Sequence, residues 1–531
     1  MKNKKETLLI LTILITICII IFNRDKLYEA KYIEPKDTLL AITINGEIST
    51  TFPTTAAYET SVECTTGTGK VEWNGTKWVL TTSGITKGST KCNATFITKV
   101  PTLAEAILAN NEVQTPLTTP GSEVSAHTKD DVESQSASVS STYQAYYITY
   151  GTGYEANGTK FNLTGAAVTG DTYANSYSSL VGKYLPYSSI SSSGSKTAGT
   201  MKTTTNLSSV YYVVSATSSS FTYKVISSNK NTTEALLAST SDDYGTSYYF
   251  RGAVKNNYVQ FANKCWRIVR ITGDGSVKLV LHNDNTTGAA NPCSSANNST
   301  NAAFARYSGT TYTSAFNEKY DDNAYVGFMY GTPGSSKYEA THANINKSTI
   351  LTNLETWYTN NLASYESKLA DTIWCNDKTN VTDTTFDPWG WSPNGYGYAK
   401  NVTYYGATQR LVSKSNSAGG TGPSLKCNGE LSKITSKVGL ITADEIAFSG
   451  SIFGNYNRST YLQENTGTNR WWSLSPIYFD GSYARVWNVF SGSLGGFNVR
   501  YSAGVRPVIS LISSTNVTGD GTSENPFIVE K

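Results

Sequence analysis

Apolar and polar residues alternate in short runs along most of this chain, and Gly, Asn, Asp or Ser bounds each run. Residues 40–44 alternate in this way and lead into Asn45-Gly46, a strong hairpin signal. Residues 265–271 and 277–281 repeat the pattern on either side of a Gly-Asp-Gly turn. The pattern predicts a mainly β chain built from many short strands.

Helical periodicity interrupts the strands in the second half of the chain. Residues 350–370 place apolar side chains at helical spacing, which predicts an amphipathic helix. Thr442, with Glu445 three residues later, forms a capping box, and Gly450 ends the short helix that it begins.

The last sixty residues return to β-type patterning. A Trp-Trp-Ser-Leu-Ser-Pro run at residues 471–476 opens a meander, and Gly-Val-Arg-Pro-Val-Ile-Ser-Leu at 504–511 closes it. We expect a final hairpin between residues 507–511 and 527–529, with its turn near residues 519–522.

The N-terminus carries an uncharged run, residues 7–22, behind three lysines. Sixteen helical residues span about 24 Å, short of a full bilayer core, so an uncleaved anchor and a cleaved signal peptide both remain open. The preceding lysines favour a cytoplasmic N-terminus. We expect a membrane helix at residues 1–23, a location in the cell membrane, and an extracellular position for the bulk of the chain.

The cysteines fit an oxidising compartment. Cys18 lies in the apolar run, and an even number remains, which in an exported chain predicts disulfides. Cys64 and Cys92 bracket two β-type runs and are expected to pair. The other four allow three pairings, of which proximity favours Cys265–Cys293 and Cys375–Cys427.

Length and charge narrow the class of protein. A chain of 531 residues is too long for one core. A net charge of +3 gives no reason to expect nucleic acid as a partner. Only 16% of residues are charged, while Tyr and Gly number 36 and 43, which suits an extracellular β protein better than a cytosolic enzyme.

These signals predict a multidomain, mainly β chain. The expected order is a signal-anchor helix at residues 1–23, a small β-sandwich of immunoglobulin-like size at 38–100, a linker with a short helix at 101–137, a Ser/Thr/Tyr-rich β domain at 138–230, and a C-terminal α+β domain at 242–531. Thr102 caps the helix-forming stretch in the linker. Residues 232–238 resemble that stretch, as if a connector resumed after an insertion.

The sequence contains none of the common catalytic or metal-binding motifs. His127, His282 and His342 are the only histidines, and none lies in a zinc motif or near a candidate nucleophile. Asp274 and Asp520 lie in turns that lack the alternating acids of a calcium loop. The sequence therefore gives no indication of a metal site, a cofactor or an enzymatic activity.

Several motifs of the C-terminal domain resemble bacterial surface modules found in exported proteins of Gram-positive gut-type bacteria. They are Cys-Trp-Arg-Ile-Val-Arg-Ile at 265–271, Gly-Leu-Ile-Thr-Ala-Asp-Glu at 439–445, and the Trp-Trp-Ser and Arg-Pro-Val motifs. The last two are similar to the C-terminal core of C-type-lectin-like domains, a group that includes formylglycine-generating-enzyme-like folds and receptors diversified by retroelements. The resemblance implies an α+β lectin-like domain.

Two departures limit what the resemblance implies. Trp487-Asn488-Val489 lacks the Asp with which calcium-dependent lectins read sugar. The last cysteine, Cys427, precedes the final motif, so the redox pair of formylglycine-generating enzymes is missing. Neither calcium-mediated sugar binding nor that oxidation is expected.

In the diversified receptors, the exposed positions before the closing motif face the ligand. The matching residues are Tyr478, Asp480, Ser482, Tyr483, Asn488, Ser491, Ser493, Asn498 and Tyr501. Tyr, Asn and Ser suit recognition because they combine contact area with adaptable hydrogen bonds. The alternative is that they only form the polar face of a meander. The expected framework consists of Trp471, Trp472, Trp487, Arg506 and Pro507.

The leading expectation is a membrane-anchored extracellular binding or adhesion protein, without catalysis, whose C-terminal domain recognises an unidentified protein or glycan. Three alternatives remain. They are a structural wall protein without a discrete ligand, a retroelement-diversified receptor, and a secreted enzyme that acts on wall polymers.

Overall fold

A computed structural model describes residues 39–86, 88–116, 118–121, 181, 235–456 and 460–529, together with the backbone of six strands between 134 and 227. The signal-anchor helix expected at residues 1–23 lies outside this range. Within the described part of the chain, no helix has both the length and the apolar character that crossing a bilayer requires. The chain divides into two compact units, Met1–Val100 and Pro101–Lys531.

The first unit consists of two sheets around a small core. Its strands are β1 (Leu39–Ile44), β2 (Glu47–Ser49), β3 (Tyr58–Cys64), β4 (Thr68–Trp73), β5 (Trp78–Ser83) and β6 (Lys91–Thr98). One sheet has the order β2-β1-β6-β3, and β4 and β5 form the other. Phe96, Ala94 and Ile42 from the first sheet pack with Trp78 and Val71 from the second.

A disulfide links Cys64 and Cys92, as the sequence predicted. The two residues are direct partners on the neighbouring strands β3 and β6. The bridge therefore lies within one sheet, whereas the conserved disulfide of antibody domains joins the two sheets.

Six strands lie between residues 134 and 227, and five of them lie wholly inside residues 138–230, the stretch expected to be a second β domain. They are β7 (Ser134–Ser138), β8 (Tyr146–Ile148), β9 (Asp171–Tyr173), β10 (Tyr184–Pro186), β11 (Ser209–Ala216) and β12 (Ser220–Ser227). Strands β10-β11-β12-β7 form one antiparallel sheet, and β8 pairs with β9.

The remainder of the second unit, residues 101–121 and 235–529, is called the head. Its main sheet contains β13 (Ala235–Ser241), β14 (Thr246–Gly252), β15 (Tyr258–Phe261), β16 (Lys264–Ile271), β17 (Val277–Asn283), β28 (Val508–Leu511), β29 (Val517–Thr518) and β30 (Phe527–Val529). The predicted hairpin of β16 and β17 is confirmed. Strands from both ends of the head meet in this sheet, because β17 pairs with β28 and β15 pairs with β30.

A second sheet of the head carries the C-terminal meander. It contains β18 (Thr313–Ala315), β22 (Thr403–Tyr404), β24 (Trp471–Phe479), β25 (Ala484–Phe490), β26 (Ser493–Asn498) and β27 (Ser502–Gly504). Two short pairs complete the strands, β19 (Met329–Tyr330) with β20 (Asn346–Lys347), and β21 (Ile373–Cys375) with β23 (Lys433–Thr435).

Few helices accompany these sheets, so the expected mainly β class is confirmed. The α-helices are α1 (Leu103–Asn110), α2 (Tyr338–His342), α3 (Thr349–Asn361), α4 (Gly406–Leu411) and α5 (Ala443–Phe448). Short 3₁₀ turns span Ser295–Asn297, Asn323–Val326, Ala363–Lys368, Glu430–Ser432 and Tyr461–Gln463. The capping box of Thr442 and Glu445 begins α5 as predicted, and Thr102 with Glu105 forms another at α1.

The segment assigned to a linker at residues 101–137 is in fact packed into the head at its beginning. Leu103, Ala106 and Ile107 of α1 belong to the main core. The backbone N–H of Gln114 donates to the carbonyl of Leu237 over 2.8 Å. The boundary expected at residue 242 is therefore wrong, because α1 and β13 complete the core before that point.

Residues 232–238 resemble the helix-forming stretch of α1 in sequence, but residues 235–238 belong to β13, which pairs along its whole length with β14. Two smaller predictions are also corrected. The helix expected over 350–370 ends at Asn361 and continues as a 3₁₀ turn. The last hairpin joins β29 to β30, because β28 is already paired with β17.

The head contains the two disulfides that proximity favoured. Cys265 bonds to Cys293, and both cysteines are fully buried. Cys375 bonds to Cys427 and ties β21 to the loop that precedes β23.

Candidate functional site

An aromatic platform lies over one face of the second sheet. It consists of Trp389 and Trp391, which are partly exposed, and of Tyr404 and Tyr478, which are buried beside them. The two indole rings stack with centroids 5.6 Å apart and planes inclined by 28°. Trp391 contacts the Tyr478 ring edge-on at 4.4 Å, and Trp389 lies 5.0 Å from the same ring.

Asp387 fixes the loop that presents the two tryptophans. Its Oδ1 accepts hydrogen bonds from the backbone N–H of Trp391 at 2.9 Å and from the Tyr404 hydroxyl at 2.8 Å. Its Oδ2 accepts from the backbone N–H of Ser392 at 2.8 Å. Gly390, between the tryptophans, has a φ of +74°, a conformation that glycine adopts without strain.

The charge of Asp387 is stabilised in this position. Burial acts to raise its pKa, but the hydrogen bonds from Ser392, Tyr404 and Trp391 outweigh that effect and lower it. The carboxylate therefore stays ionised and holds the loop at neutral pH. The platform is ordered before any ligand arrives, which reduces the entropy cost of binding.

The platform also offers hydrogen-bond donors. Among the described residues, none accepts a hydrogen bond from the indole N–H of Trp389 or Trp391, and both side chains are partly exposed. An aromatic face with an unused N–H beside it can contact an apolar surface and a hydroxyl at once.

The nine predicted contact residues divide into two groups. Asp480, Ser482, Tyr483 and Tyr501 are at least partly exposed, and the first three lie in the turn between β24 and β25. The expectation of exposure is wrong for the other five, which are Tyr478, Asn488, Ser491, Ser493 and Asn498.

The buried group has structural partners. Asn488 donates to the carbonyl of Gly495 over 2.8 Å and accepts from Arg470 over 3.1 Å. Asn498 accepts from the backbone N–H of Arg500. The alternation was misleading because β24 and most of β25 are covered on both faces, so a polar position on these strands does not face water.

The five predicted framework residues are all buried. Arg506 donates from Nε to the carbonyl of Leu281 at 2.8 Å and from NH1 to the carbonyl of Leu462 at 2.5 Å. Its guanidinium lies 5.0 Å from the Trp471 ring. Among the described residues it has no carboxylate partner, and burial lowers its pKa to about 9. Arg506 therefore joins β17 of the main sheet to the 3₁₀ turn Tyr461–Gln463 through hydrogen bonds to backbone carbonyls, and not through an ion pair.

A charged cavity of about 40 Å³ is a second candidate site in the head. Arg270 binds Asp242 at 2.7 Å and Glu445 at 2.9 Å, and Lys278 binds Glu445 at 2.7 Å. A volume of this size suits about one or two water molecules.

A second arginine completes the cavity wall. Arg410 binds Asp444 through Nε at 2.7 Å and Asp377 through NH2, also at 2.7 Å. The disulfide of Cys375 and Cys427 lies at the rim. The cavity thus joins β13, β16, β17, α4 and α5 through ion pairs.

The carboxylates of this cavity are poor candidates for acid catalysis. Burial acts to raise the pKa of Glu445, but Lys278 and Arg270 outweigh it and lower the pKa to about 2. Burial likewise opposes the charge of Arg410, yet Asp444 and Asp377 raise its pKa. The partners of Glu445 and Arg410 therefore stabilise these two groups in their charged forms, whereas burial lowers the pKa of Lys278.

The histidines of the described region are structural. Burial lowers the pKa of both His282 and His342 to about 3, so both are neutral at physiological pH. His127 lies outside the described residues. Within the described part of the chain, no group of three or more His, Cys, Asp or Glu side chains is placed to hold a metal ion.

Sequence reasoning missed Asp387, Trp389 and Trp391. They lie in residues 386–406, a stretch rich in Trp, Tyr, Pro, Asn and Gly that is typical of a long loop. The available signal was the Asp-Pro-Trp-Gly-Trp-Ser-Pro run at 387–393. Two tryptophans separated by one glycine, between prolines, have no strand or helix in which to be buried.

Comparison of the chain with protein-family models, with curated proteins and with solved structures gave no match.

Proposed function

We propose that the protein is a membrane-anchored extracellular binding protein whose head holds a glycan on the aromatic platform, without catalysing a reaction. The observation that carries the proposal is the pair of stacked, partly exposed tryptophans on a loop fixed by Asp387. A pyranose ring has a face of C–H groups that packs on an aromatic ring, and its hydroxyls accept hydrogen bonds from indole N–H groups.

The fold supports a role as a rigid scaffold for such a loop. The platform rests on Tyr478 of β24, and Trp389 also contacts Phe453, which lies against Trp487 of β25. Binding residues on loops that a rigid sheet positions are a common arrangement. A lectin-like identity for the head and an immunoglobulin-like identity for the first unit belong to this proposal.

The extracellular location is part of the same proposal. It is supported by three disulfides, which persist in oxidising compartments, and by the apolar run at residues 7–22. The small sandwich and the β-rich stretch between 134 and 227 would act as spacers.

The alternatives have weaker support. A wall-polymer hydrolase needs a carboxyl group that can exchange a proton, and four of the five cavity carboxylates, Asp242, Asp377, Asp444 and Glu445, are ion-paired. The fifth, Asp243, accepts a hydrogen bond from the backbone N–H of Cys427. A purely structural protein has no use for a preorganised exposed platform. Diversification by a retroelement would have to act on the exposed turn residues, since five of the nine matching positions are buried.

The test is a glycan array with the full-length protein, followed by calorimetry on the best ligand. We expect Trp389→Ala and Trp391→Ala each to weaken binding about tenfold or more, as the loss of a central aromatic contact does. Tyr244→Ala is the matched control, since this ring is 55% exposed in the turn between β13 and β14.

Thermal unfolding of each variant must match the wild type before affinities are compared. Unchanged affinity in the double variant Trp389→Ala/Trp391→Ala would overturn the platform as the site. Absence of any glycan binding at millimolar concentration would overturn the function.

A further inference from the structure

A second surface, beyond the hairpin turn of β24 and β25, carries arginines that lack acidic partners. We call it the arginine strip, and it consists of Arg470, Phe497, Tyr501, Arg500, Tyr483 and Tyr320. Neither arginine of the strip forms an ion pair with a carboxylate among the described residues. Arginine forms its strongest hydrogen bonds with carboxylates and similar anions. Because these arginines have no such partner among the described residues, a ligand can supply one.

Arg500 is held by aromatic rings. Its guanidinium carbon lies 4.4 Å from the centroid of Tyr320, 5.1 Å from Tyr501 and 5.5 Å from Tyr483. Tyr320 and Tyr483 stack on each other at 5.5 Å. Stacking uses the face of the guanidinium and leaves its N–H edge available.

The N–H edge of Arg500 is almost unused by the protein. One hydrogen bond, from NH2 to the Tyr501 hydroxyl at 3.3 Å, is formed by the side chain. A guanidinium has five N–H donors in a planar fork that matches a carboxylate or sulfate. Because the rings fix its plane, little side-chain entropy remains to be lost when an oxyanion binds.

Arg470 extends the positive surface. Its guanidinium lies 4.3 Å from Phe490 and 4.8 Å from Phe497, and Phe497 contacts Tyr501 at 5.5 Å. Two acids next to the strip have cationic neighbours of their own, since Asp480 lies 3.6 Å from Arg485 and Asp321 lies 3.9 Å from Lys400. No carboxylate among the described residues forms an ion pair with Arg470 or Arg500, so the strip keeps two positive charges that are not neutralised by a direct partner.

The strip and the platform share one hairpin. Tyr478, near the end of β24, contacts Trp391 of the platform, while Tyr483, in the turn just before β25, contacts Arg500. Asp480 ties the turn between them by accepting from the backbone N–H groups of Ser482 and Tyr483. A ligand that contacts both surfaces would lie across this turn.

We propose that the glycan bound by the head is acidic, and that Arg500 in its ring of tyrosines binds one of its carboxylate or sulfate groups. This inference rests on the proposed function and adds the chemical class of the ligand. The exposed residues Tyr483 and Tyr501, expected from the sequence to contact ligand, would position the arginine.

The test compares matched oligosaccharides on the full-length protein by calorimetry. The probes are an oligogalacturonate and its carboxyl-reduced form, and a chondroitin sulfate oligosaccharide and its desulfated form. We expect an acidic form to bind about tenfold or more tighter than its neutral counterpart, with affinity that falls as salt rises. The two pairs distinguish a carboxylate from a sulfate.

Arg500→Gln should remove the preference for the acidic form and leave binding of the neutral form unchanged. Arg500→Lys keeps the charge but loses the planar fork of N–H donors. Its preference for the acidic form should lie between those of the wild type and Arg500→Gln. Lys347→Gln is the control for loss of one exposed charge, since Lys347 pairs with Glu355 away from the hairpin turn.

Equal affinity for acidic and neutral forms, unchanged in Arg500→Gln, would overturn this inference while the platform proposal stands. Two results together would support both the platform proposal and the acidic ligand. The double variant Trp389→Ala/Trp391→Ala would lose all binding, and Arg500→Gln alone would still bind but without a preference for the acidic form. Failure of every oligosaccharide to bind would overturn both.

Discussion

Glu445 performs two tasks with one carboxylate. Its Oε2 accepts from the backbone N–H of Thr442 and closes the capping box, while Oε1 binds Lys278 and Arg270. The cap is a local feature, and the spacing of Thr and Glu predicts it. The ion pairs come from residues more than 160 positions away, so no local pattern announces them.

The pKa of Glu445 makes a prediction about acid stability. Its folded pKa of about 2 lies below the ordinary value of 4.5, so the carboxylate stabilises the head fully above pH 4.5. That contribution, about 3 kcal/mol, should be lost as pH falls from 4.5 to 2. Urea unfolding of the wild type and Glu445→Gln, followed by tryptophan fluorescence, should show a gap in unfolding free energy that narrows over this range.

Glu430→Gln is the matched control for this experiment. Glu430 pairs with Lys433, but its side chain is 86% exposed, so its removal should change stability by less than about 1 kcal/mol. A gap between wild type and Glu445→Gln that stays constant from pH 6 to pH 2 would contradict the assigned role of the carboxylate.

The contact residues show the limit of patterning at single positions. Asn488 and Asn498 look like solvent-facing polar residues, yet both are buried and hydrogen-bonded inside the head. Alternation separates the two faces of a strand, but it does not show that both faces are covered. Trp389 and Trp391 were missed for the opposite reason, because apolar residues in a loop suggest packing and not display.

The bridge of Cys375 and Cys427 connects β21 to a loop at the rim of the charged cavity. The backbone N–H of Cys427 donates to Asp243, which follows β13. The disulfide thus holds a loop over ion pairs that water would weaken.

Removal of this bridge should destabilise the head. Its cysteines are 52 residues apart, for which the chain-entropy model gives about 4 kcal/mol. We expect Cys375→Ser/Cys427→Ser to lower the unfolding free energy by about 2–4 kcal/mol, measured by urea denaturation. A loss below about 1 kcal/mol would show that packing alone holds the loop.

Local signals predicted many of the elements correctly. The hairpin of β16 and β17, the capping box of α5 and the start of α3 all follow from residues that lie close in sequence. Residues 235–238 resemble the helix-forming stretch of α1, because Ala and Leu favour helices. Pairing with β14 overrides that preference, and the pairing is a tertiary effect.

The head is assembled from two separated parts of the chain. Residues 101–121 supply α1 and a segment that bonds to β13, and the chain returns at residue 235. The strands described between 134 and 227 pair only with one another. The similarity between residues 103–109 and 232–238 hinted at an insertion, but the assignment of residues 101–137 to a linker concealed that α1, at its beginning, packs into the core.

This arrangement predicts that the inserted stretch is dispensable for the head. A variant with residues 122–234 replaced by about twelve Gly/Ser residues should keep the melting temperature of the head within about 3 °C. Ile107→Ala should lower the unfolding free energy by about 2–5 kcal/mol in the same background, because Ile107 is fully buried in the main core.

Differential scanning calorimetry would measure both changes. A large loss of stability on deletion, or no effect of Ile107→Ala, would contradict the assignment of α1 to the head.

The distribution of the ten tryptophans gives the molecule an optical reporter of its own. Six lie fully buried in the head and Trp78 is buried in the first unit, so only Trp73, Trp389 and Trp391 are reached by solvent. A collisional quencher such as iodide therefore acts chiefly on these three. In a Trp73→Phe background, the quenchable emission comes from the platform alone, and its protection would follow occupancy without any added label.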